Sequence, residues 1–134
     1  MYVRRNEAVE IRASPDLVRV RQIVREWTVE AGFSLVDQTK MVTAASELAR
    51  NTLEHGGGGV ARVEFLEDGG RNGVRLICED RGPGIPDIQL ALRDGYTSRT
   101  GLGLGLGGAR RLVNEFAIDS RPGEGTRVTI TRWK

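Results

Sequence analysis

DRGPGIP at residues 80–86 and GLGLGLGG at residues 101–108 are the two stretches that decide how this chain folds. The second stretch has five glycines in eight positions. Glycine loses more backbone freedom on folding than any other residue, so this density is expected only where the backbone approaches something closely or adopts positive φ angles. We therefore interpret residues 80–108 as a segment that wraps a ligand, with the polar residues 87–100 as a lid within it.

Composition limits the class of protein. The chain is 39% hydrophobic and 28% charged, which is typical of a folded globular protein. Its 134 residues fit one core, so we expect a single domain over residues 1–134. No apolar run approaches the roughly twenty residues of a membrane span, and residues 1–7 lack the apolar segment of a signal peptide. Since the lone cysteine, Cys78, cannot form an internal disulfide, we expect a cytoplasmic protein with no membrane partner.

The first part of the chain predicts one strand and two helices. Polar and apolar residues alternate over residues 7–12, which is typical of a half-buried strand. Ser14, which precedes a proline, predicts the N-cap of a first helix, and Gly32 predicts its end. A second helix is expected over residues 35–54. Its predicted core stripe comprises Met41, Ala44, Ala45, Leu48 and Leu53.

Residues 60–67 and 73–80 predict two antiparallel strands joined by a hairpin loop at residues 68–73. In the second strand the apolar residues share one face by period two, and Asp80 has the same parity. A carboxylate is thus directed toward an otherwise apolar face. Burying a charge without a partner is too costly to be incidental, so unless the register is misjudged the pattern predicts a functional acid in a pocket.

The remaining residues predict a helix over 108–116 and two strands, 117–120 and 126–133, joined by a tight turn at 121–125. The whole order is strand, two helices, two strands, the glycine-rich lid, helix and two strands. We therefore expect an α+β fold. It would be a two-layer α/β sandwich with one mixed, mostly antiparallel sheet and helices on one face.

Three common phosphate-binding motifs do not account for the glycines. A Walker A loop ends in lysine followed by serine or threonine, and no lysine lies nearby. Gly103, Gly105 and Gly108 match the Rossmann fingerprint, but that fingerprint must follow a buried strand and here follows a polar loop. A protein-kinase glycine loop requires a catalytic loop and a metal-binding motif, and the sequence has neither.

Four segments in order resemble the four boxes of the GHKL ATP-binding superfamily, which includes gyrase, histidine kinases and MutL. They are ELARN at residues 47–51, DRGPG at 80–84, GLGLG at 101–105 and GEGT at 123–126. The resemblance implies the Bergerat ATP-binding fold. The only histidine, His55, follows the second helix, where it cannot be a phospho-accepting residue, and we assign it to structure. The chain is most similar to the small bacterial anti-sigma-factor serine/threonine kinases, and among these to the stressosome switch kinases.

The resemblance implies an adenine site around the second box. Asp80 would accept a hydrogen bond from the exocyclic amine of adenine. Gly82 and Gly84 would let the backbone approach the base, and Ile85 would pack on its face. The structural alternatives are a strand-end acid and an ordinary Gly-Pro-Gly turn.

Glu47 and Asn51 are four residues apart, so they lie on one face of the second helix. By resemblance, the amide oxygen of Asn51 holds Mg²⁺, a hard ion that prefers oxygen ligands. Glu47 matches the general base that orients or deprotonates the attacking hydroxyl. Arg50 either supports the phosphates or is exposed. Without the other boxes, the Glu/Asn pair could equally be two polar residues on a solvated face.

The second glycine stretch leads to a helix start expected near residues 107–108. Free N–H groups and the helix dipole can bind phosphates there without a lysine. The regular leucines argue against a flexible linker. Thr126 is expected to support the floor of the site, unless it is an ordinary strand residue. The predicted phosphate-binding residues are Gly101, Leu102, Gly103, Leu104 and Gly105.

The resemblance implies ATP- and Mg²⁺-dependent phosphorylation of STAS-domain proteins, namely stressosome scaffolds or antagonists. It also implies partner switching with a PP2C-type phosphatase or an alternative sigma factor. Two alternatives stay open: a nucleotide-gated anti-sigma factor or binding module with little catalytic activity, and a simple ATPase. A net charge of +2, without a basic cluster interleaved with aromatics, predicts no nucleic-acid partner.

Overall fold

The structure is a computed structural model that describes residues 1–93 and 105–134. Its elements in chain order are β1 (Tyr2–Ile11), α1 (Ser14–Glu30), α2 (Leu35–Glu54), β2 (Gly59–Asp68), β3 (Arg71–Asp80), α3 (Ile88–Ala91), α4 (Gly105–Arg111), β4 (Glu115–Arg121) and β5 (Gly125–Trp133). The five strands form one sheet in the order β1-β2-β3-β5-β4. Every adjacent pair is antiparallel, so the described sheet goes further than the mostly antiparallel arrangement expected.

The helices pack on one face of this sheet, so the expected two-layer architecture is confirmed. On β3 the side chains of alternate residues, including Val74, Leu76 and Cys78, are buried beneath the helices. Asp80 continues that alternation and is only 5% exposed. The period-two pattern of β3 therefore predicted correctly that Asp80 lies on the inner face of the sheet.

Helix α2 spans residues 35–54 as expected and contributes the centre of the core. Its stripe differs at one position, because Thr52 is 2% exposed whereas Leu53 is only half-buried. The spacing from Leu48 to Thr52 keeps one face inward, and the Thr52 hydroxyl donates to the Leu48 carbonyl at 3.0 Å. None of the helices in the described ranges is long and apolar enough to cross a membrane.

Two element starts were predicted wrongly. β1 begins at Tyr2 instead of residue 7, because a register shift between Val3 and Arg5 breaks the alternation. The N-cap of α1 is Ala13, not Ser14. A side chain from inside the first turn binds the preceding backbone instead. Oδ2 of Asp16 accepts from the N–H groups of residues 12 and 13, and these bonds lower the pKa of Asp16.

Two further boundaries moved in the second half. The β2–β3 hairpin turns on Gly69 and Gly70 alone, whose φ angles of 58° and 83° fit a type I′ turn. Helix α4 covers Gly105–Arg111 rather than 108–116. Phe116 lies in β4 instead, paired with Ile130 of β5, because it alternates with the other inward-facing residues of that strand.

We predict that the buried Cys78 thiol is inert while the protein is folded. Burial raises the pKa of Cys78 to about 12, and the nearby Asp80 carboxylate acts in the same direction. At pH 8 the folded thiol should therefore have a thiolate fraction about a thousandfold below that of the unfolded chain, with labelling slowed accordingly. Since the folded state keeps its proton, the free energy of unfolding should fall as the pH rises from 9 toward 12.

Thiol labelling with and without urea measures this. A Val60→Cys variant in a Cys78→Ala background is the control, because residue 60 is 40% exposed and should react while folded. Equally fast labelling of native and unfolded Cys78 would contradict the prediction.

Candidate functional site

The C-terminal end of α2 meets the C-terminal end of β3 at Gly56. A Cβ placed on Gly56 would lie 2.3 Å from Cγ of Asp80. A Cβ placed on Gly82 would lie 2.8 Å from Cα and O of Gly56. Neither position has room for a side chain, so the helix end, the buried carboxylate and the turn that follows β3 are in direct contact.

Glu47 and Asp80 are the two acidic side chains that are buried within the described residues, 8% and 5% exposed respectively. Asp80 lies at this junction, and Glu47 lies about two helical turns before the end of α2. Oδ1 of Asp80 accepts from the N–H of Gly82 at 2.9 Å, and Oδ2 accepts no hydrogen bond from any described residue. The Asp80 side chain is thus largely buried but keeps one oxygen without a protein partner, which can accept a hydrogen bond from a ligand donor such as an amine.

The turn at residues 82–85 is fixed against the β4–β5 hairpin. Gly84 has a φ of +78°, and a Cβ there would lie 2.3 Å from the carbonyl oxygen of Arg121. Pro83 accepts a hydrogen bond from the N–H of Gly123 at 2.8 Å. Gly82 and Gly84 were expected to leave room for a base. In the described structure, the space beside each is occupied by the protein's own backbone.

Ser120 joins this turn to the last strand and was missed in the sequence. Its hydroxyl oxygen accepts from the N–H of Ile85 at 2.7 Å and lies 2.8 Å from Oγ1 of Thr126. Thr126 pairs with Asp80 across the sheet and is 3% exposed. Ile85 is 7% exposed and belongs to the core. No local pattern marks a strand serine for this task, because its partners come from distant segments.

His55 makes the second contact that the sequence did not reveal. Its Nε2 lies 3.0 Å from the carbonyl oxygen of Gly84. The only available signal was its position one helical turn after Asn51, directly before a run of glycines. This contact links the end of α2 to the same turn that other residues hold to the β4–β5 hairpin.

Both carboxylate oxygens of Glu47 have partners. Oε1 accepts from Arg50 at 2.7 Å, and Oε2 accepts from the N–H of Gly105 at 3.1 Å. Arg50 therefore forms an ion pair with Glu47, which the sequence could not decide. The side-chain amide of Asn51, half-buried one turn later, makes no hydrogen bond to the described residues. Its oxygen is therefore available to a ligand.

Of the predicted phosphate-binding residues 101–105, the structure describes Gly105. Gly101, Leu102, Gly103 and Leu104 lie outside the described residues. Gly105 begins α4 with a φ of +67°, so the helix starts earlier than the expected residues 107–108. The N–H of Gly105 donates to the carboxylate of Glu47. The sequence predicted a phosphate, another anion, at this position.

A cavity of about 360 Å³ opens beside Asp80 and Thr126. Its other lining residues are Glu79, Arg81, Asp119, Arg121, Glu124, Gly125 and Arg127. Glu47 and Asn51 do not line it. We therefore base the site on the contacts between α2, β3 and the turn rather than on this cavity, which lies on the β4–β5 side.

Residues 36–134 match the histidine kinase-, DNA gyrase B-, and HSP90-like ATPase family. The chain belongs to this family. The match covers most of the chain and includes α2, β3 and the hairpin that together hold the site. The family expected from the four boxes is thereby confirmed.

The proteins similar to this chain include a serine/threonine kinase, an anti-sigma factor and a solved two-domain structure. Serine/threonine-protein kinase RsbT of Bacillus subtilis is 44% identical over 125 residues, 93% of this chain and 94% of that protein. An anti-sigma F factor of Clostridium novyi is 31% identical over 104 residues, 70% of this chain and 69% of that protein. A crystal structure of the RsbU and RsbW domains of Rv1364c from Mycobacterium tuberculosis matches with a TM-score of 0.66 and 27% identity. That match covers 97% of this chain and 33% of that one.

We predict that Gly84→Ala is more destabilising than Gly123→Ala, although both glycines have nearly the same φ angle, +78° and +77°. Gly123 has open space around it, so alanine there should cost about 1–2 kcal/mol for the left-handed backbone alone. Gly84→Ala adds the collision with the Arg121 carbonyl, a further 1–3 kcal/mol or so. Urea unfolding of both variants measures the difference, and equal losses would contradict the packing described for the turn.

Proposed function

We propose that this chain is a cytoplasmic, single-domain serine/threonine protein kinase that uses ATP and Mg²⁺. The observation that carries the proposal is the set of polar groups on α2 and β3: a buried Glu47 and an unpartnered Asn51 amide on the helix, and a buried Asp80 with an unpartnered Oδ2 at the strand end. Burial of two carboxylates costs stability that a purely structural helix end would not require. The 44% identity to a serine/threonine-protein kinase over nearly the full length of both chains supports the same activity.

The donor groups on β3 and α2 fit a nucleotide with its metal. Oδ2 of Asp80 is free to accept a hydrogen bond from an adenine amine while Oδ1 keeps its bond to Gly82. The unpartnered amide oxygen of Asn51 suits Mg²⁺, which usually takes one or two protein oxygens and fills its remaining positions with phosphate and water. Bound Mg-ATP would supply the phosphoryl group.

Glu47 is proposed as the general base for the hydroxyl of the protein substrate. Its carboxylate is held by Arg50 on one oxygen, which fixes the side chain without occupying the other. Oε2 would exchange the N–H of Gly105 for the substrate hydroxyl and accept its proton as the hydroxyl oxygen bonds to the γ-phosphorus, with ADP as the leaving group. Arg50 would keep the Glu47 side chain oriented while it accepts the proton.

For the protein substrate we propose a STAS-domain scaffold or antagonist of the stressosome class, with a PP2C-type phosphatase as the partner engaged afterwards. The support is similarity rather than a surface feature, namely the kinase relative and the solved structure of RsbU and RsbW domains. The proposed remaining contacts to ATP are those of Gly82, Gly84, Ile85, Thr126 and the segment 101–105.

The second candidate is a nucleotide-gated anti-sigma factor with little catalysis, because an anti-sigma F factor shares 31% identity with this chain. In that case nucleotide would decide only which partner is held. A pull-down with an alternative sigma factor, with and without Mg-ADP, separates the two. Nucleotide-dependent retention of sigma factor together with no phosphate transfer to a STAS-domain protein would favour this candidate.

We predict that Glu47→Ala lowers phosphate transfer from radiolabelled ATP to a STAS-domain partner by about a hundredfold or more, which is the usual contribution of a general base. Mg-ADP affinity should stay unchanged, because Asp80 and Asn51 are intact. Glu54→Ala is the matched control, since it removes a half-buried carboxylate from the same helix and should keep full activity. Full activity of Glu47→Ala would contradict the assigned role.

A further inference from the structure

The His55 side chain has not been given a role in the proposed reaction, yet it touches the site. It is the C-cap residue of α2 and is half-buried. Its own N–H donates to the Asn51 carbonyl at 2.9 Å, so the backbone of the helix fixes where the imidazole starts. The imidazole and the Asn51 side chain arise one turn apart on one face of a rigid helix.

We propose that His55 is a positioning residue that holds the turn at residues 82–85 at the distance from Asn51 that one bound nucleotide requires. The inference rests on the proposed ATP site. A carbonyl oxygen only accepts, so Nε2 of His55 carries the hydrogen and donates it to the oxygen of Gly84 at 3.0 Å.

The anchoring of the turn is asymmetric, which gives this single bond its importance. Toward the β4–β5 hairpin, the turn is held by the bond from Gly123 to Pro83, the bond from Ile85 to Ser120, and the packing of Gly84 on the backbone of residue 121. Toward α2, the His55 bond is the only hydrogen bond between helix and turn in the described part of the chain. Gly82 adds packing against Gly56 but no hydrogen bond.

Loss of the bond would leave the turn attached to the hairpin but free to shift relative to α2. The turn and Asn51 would then engage one nucleotide together in only a fraction of the molecules. Apparent affinity falls by that fraction, because binding must select the competent arrangement. One hydrogen bond of ordinary net strength corresponds to about a three- to tenfold change.

His55→Leu and His55→Gln form a matched pair for the test. The two side chains are similar in size, but only glutamine carries an Nε2 donor that can replace that of the imidazole. Calorimetric titration with Mg-ADP should show about three- to tenfold weaker binding for His55→Leu, with unchanged stoichiometry, and recovery in His55→Gln. Glu54→Ala, next to it in the chain, should bind as the wild type does. At saturating ATP, kcat should be unchanged in both His55 variants while KM for ATP rises in His55→Leu.

The readouts separate positioning from general destabilisation, since partial unfolding would lower the number of binding sites and not the affinity of those that remain. Equal affinities of wild type and His55→Leu, or a His55→Gln variant as weak as His55→Leu, would overturn the inference. A wild type that binds no Mg-ADP would instead overturn the proposed function on which it rests. A nitrogen-15 spectrum of the wild-type imidazole adds a check without any variant: an Nε2-protonated ring supports the bond, and a neutral ring protonated on Nδ1 overturns it.

Discussion

The contact of Gly56 with Asp80 and Gly82 is the constraint on which the rest of the site depends. With no Cβ on either glycine, the end of α2 directly contacts the end of β3 and the turn that follows it. The proposed nucleotide site requires this close approach. Alanine at position 56 would collide with the Asp80 side chain and separate the two elements. The core behind this contact, from Leu48 of α2 to Cys78 of β3, keeps the approach from relaxing.

The electrostatic arrangement follows from that geometry. Glu47 and Asp80 are buried, and each accepts a hydrogen bond from the backbone N–H of a glycine, Gly105 and Gly82 respectively. Arg50 adds a cation to Glu47 alone. One carboxylate is thus fully partnered and held in place, whereas the other keeps an oxygen free. This difference suits the two tasks that we propose, acceptance of a proton by Glu47 and recognition of an amine by Asp80.

Sequence patterns predicted what depends on local periodicity. The parity of Asp80 on β3, the extent of α2 and the Glu47/Asn51 face could all be read from spacing, and the order of the four boxes identified the family. Contacts between distant segments could not be predicted in this way. Ser120 of β4 and His55 at the end of α2 contact the turn at residues 82–85, although they are 35 and 29 residues from their partners in the sequence.

The early start of α4 could not be predicted either, and neither could the reason for glycine at position 84, which is the carbonyl of a residue on another hairpin. A helix start within a glycine-rich stretch carries no capping signal, because the usual serine, threonine or aspartate is missing. The glycines themselves were recognised correctly as sites of close approach. What approaches Gly82, Gly84 and Gly107 is protein backbone.

The central claim is that Asn51 on α2 and Asp80 on β3 bind opposite ends of one nucleotide, and amide NMR with two metals tests it most directly. Addition of Mg-ADP should shift the amide signals of residues 80–84, where the base is expected. Replacing Mg²⁺ with paramagnetic Mn²⁺ should broaden the signals of residues 47–51 most strongly, because Asn51 would hold the metal. Broadening centred away from α2, or no shift at the turn after β3, would contradict the account.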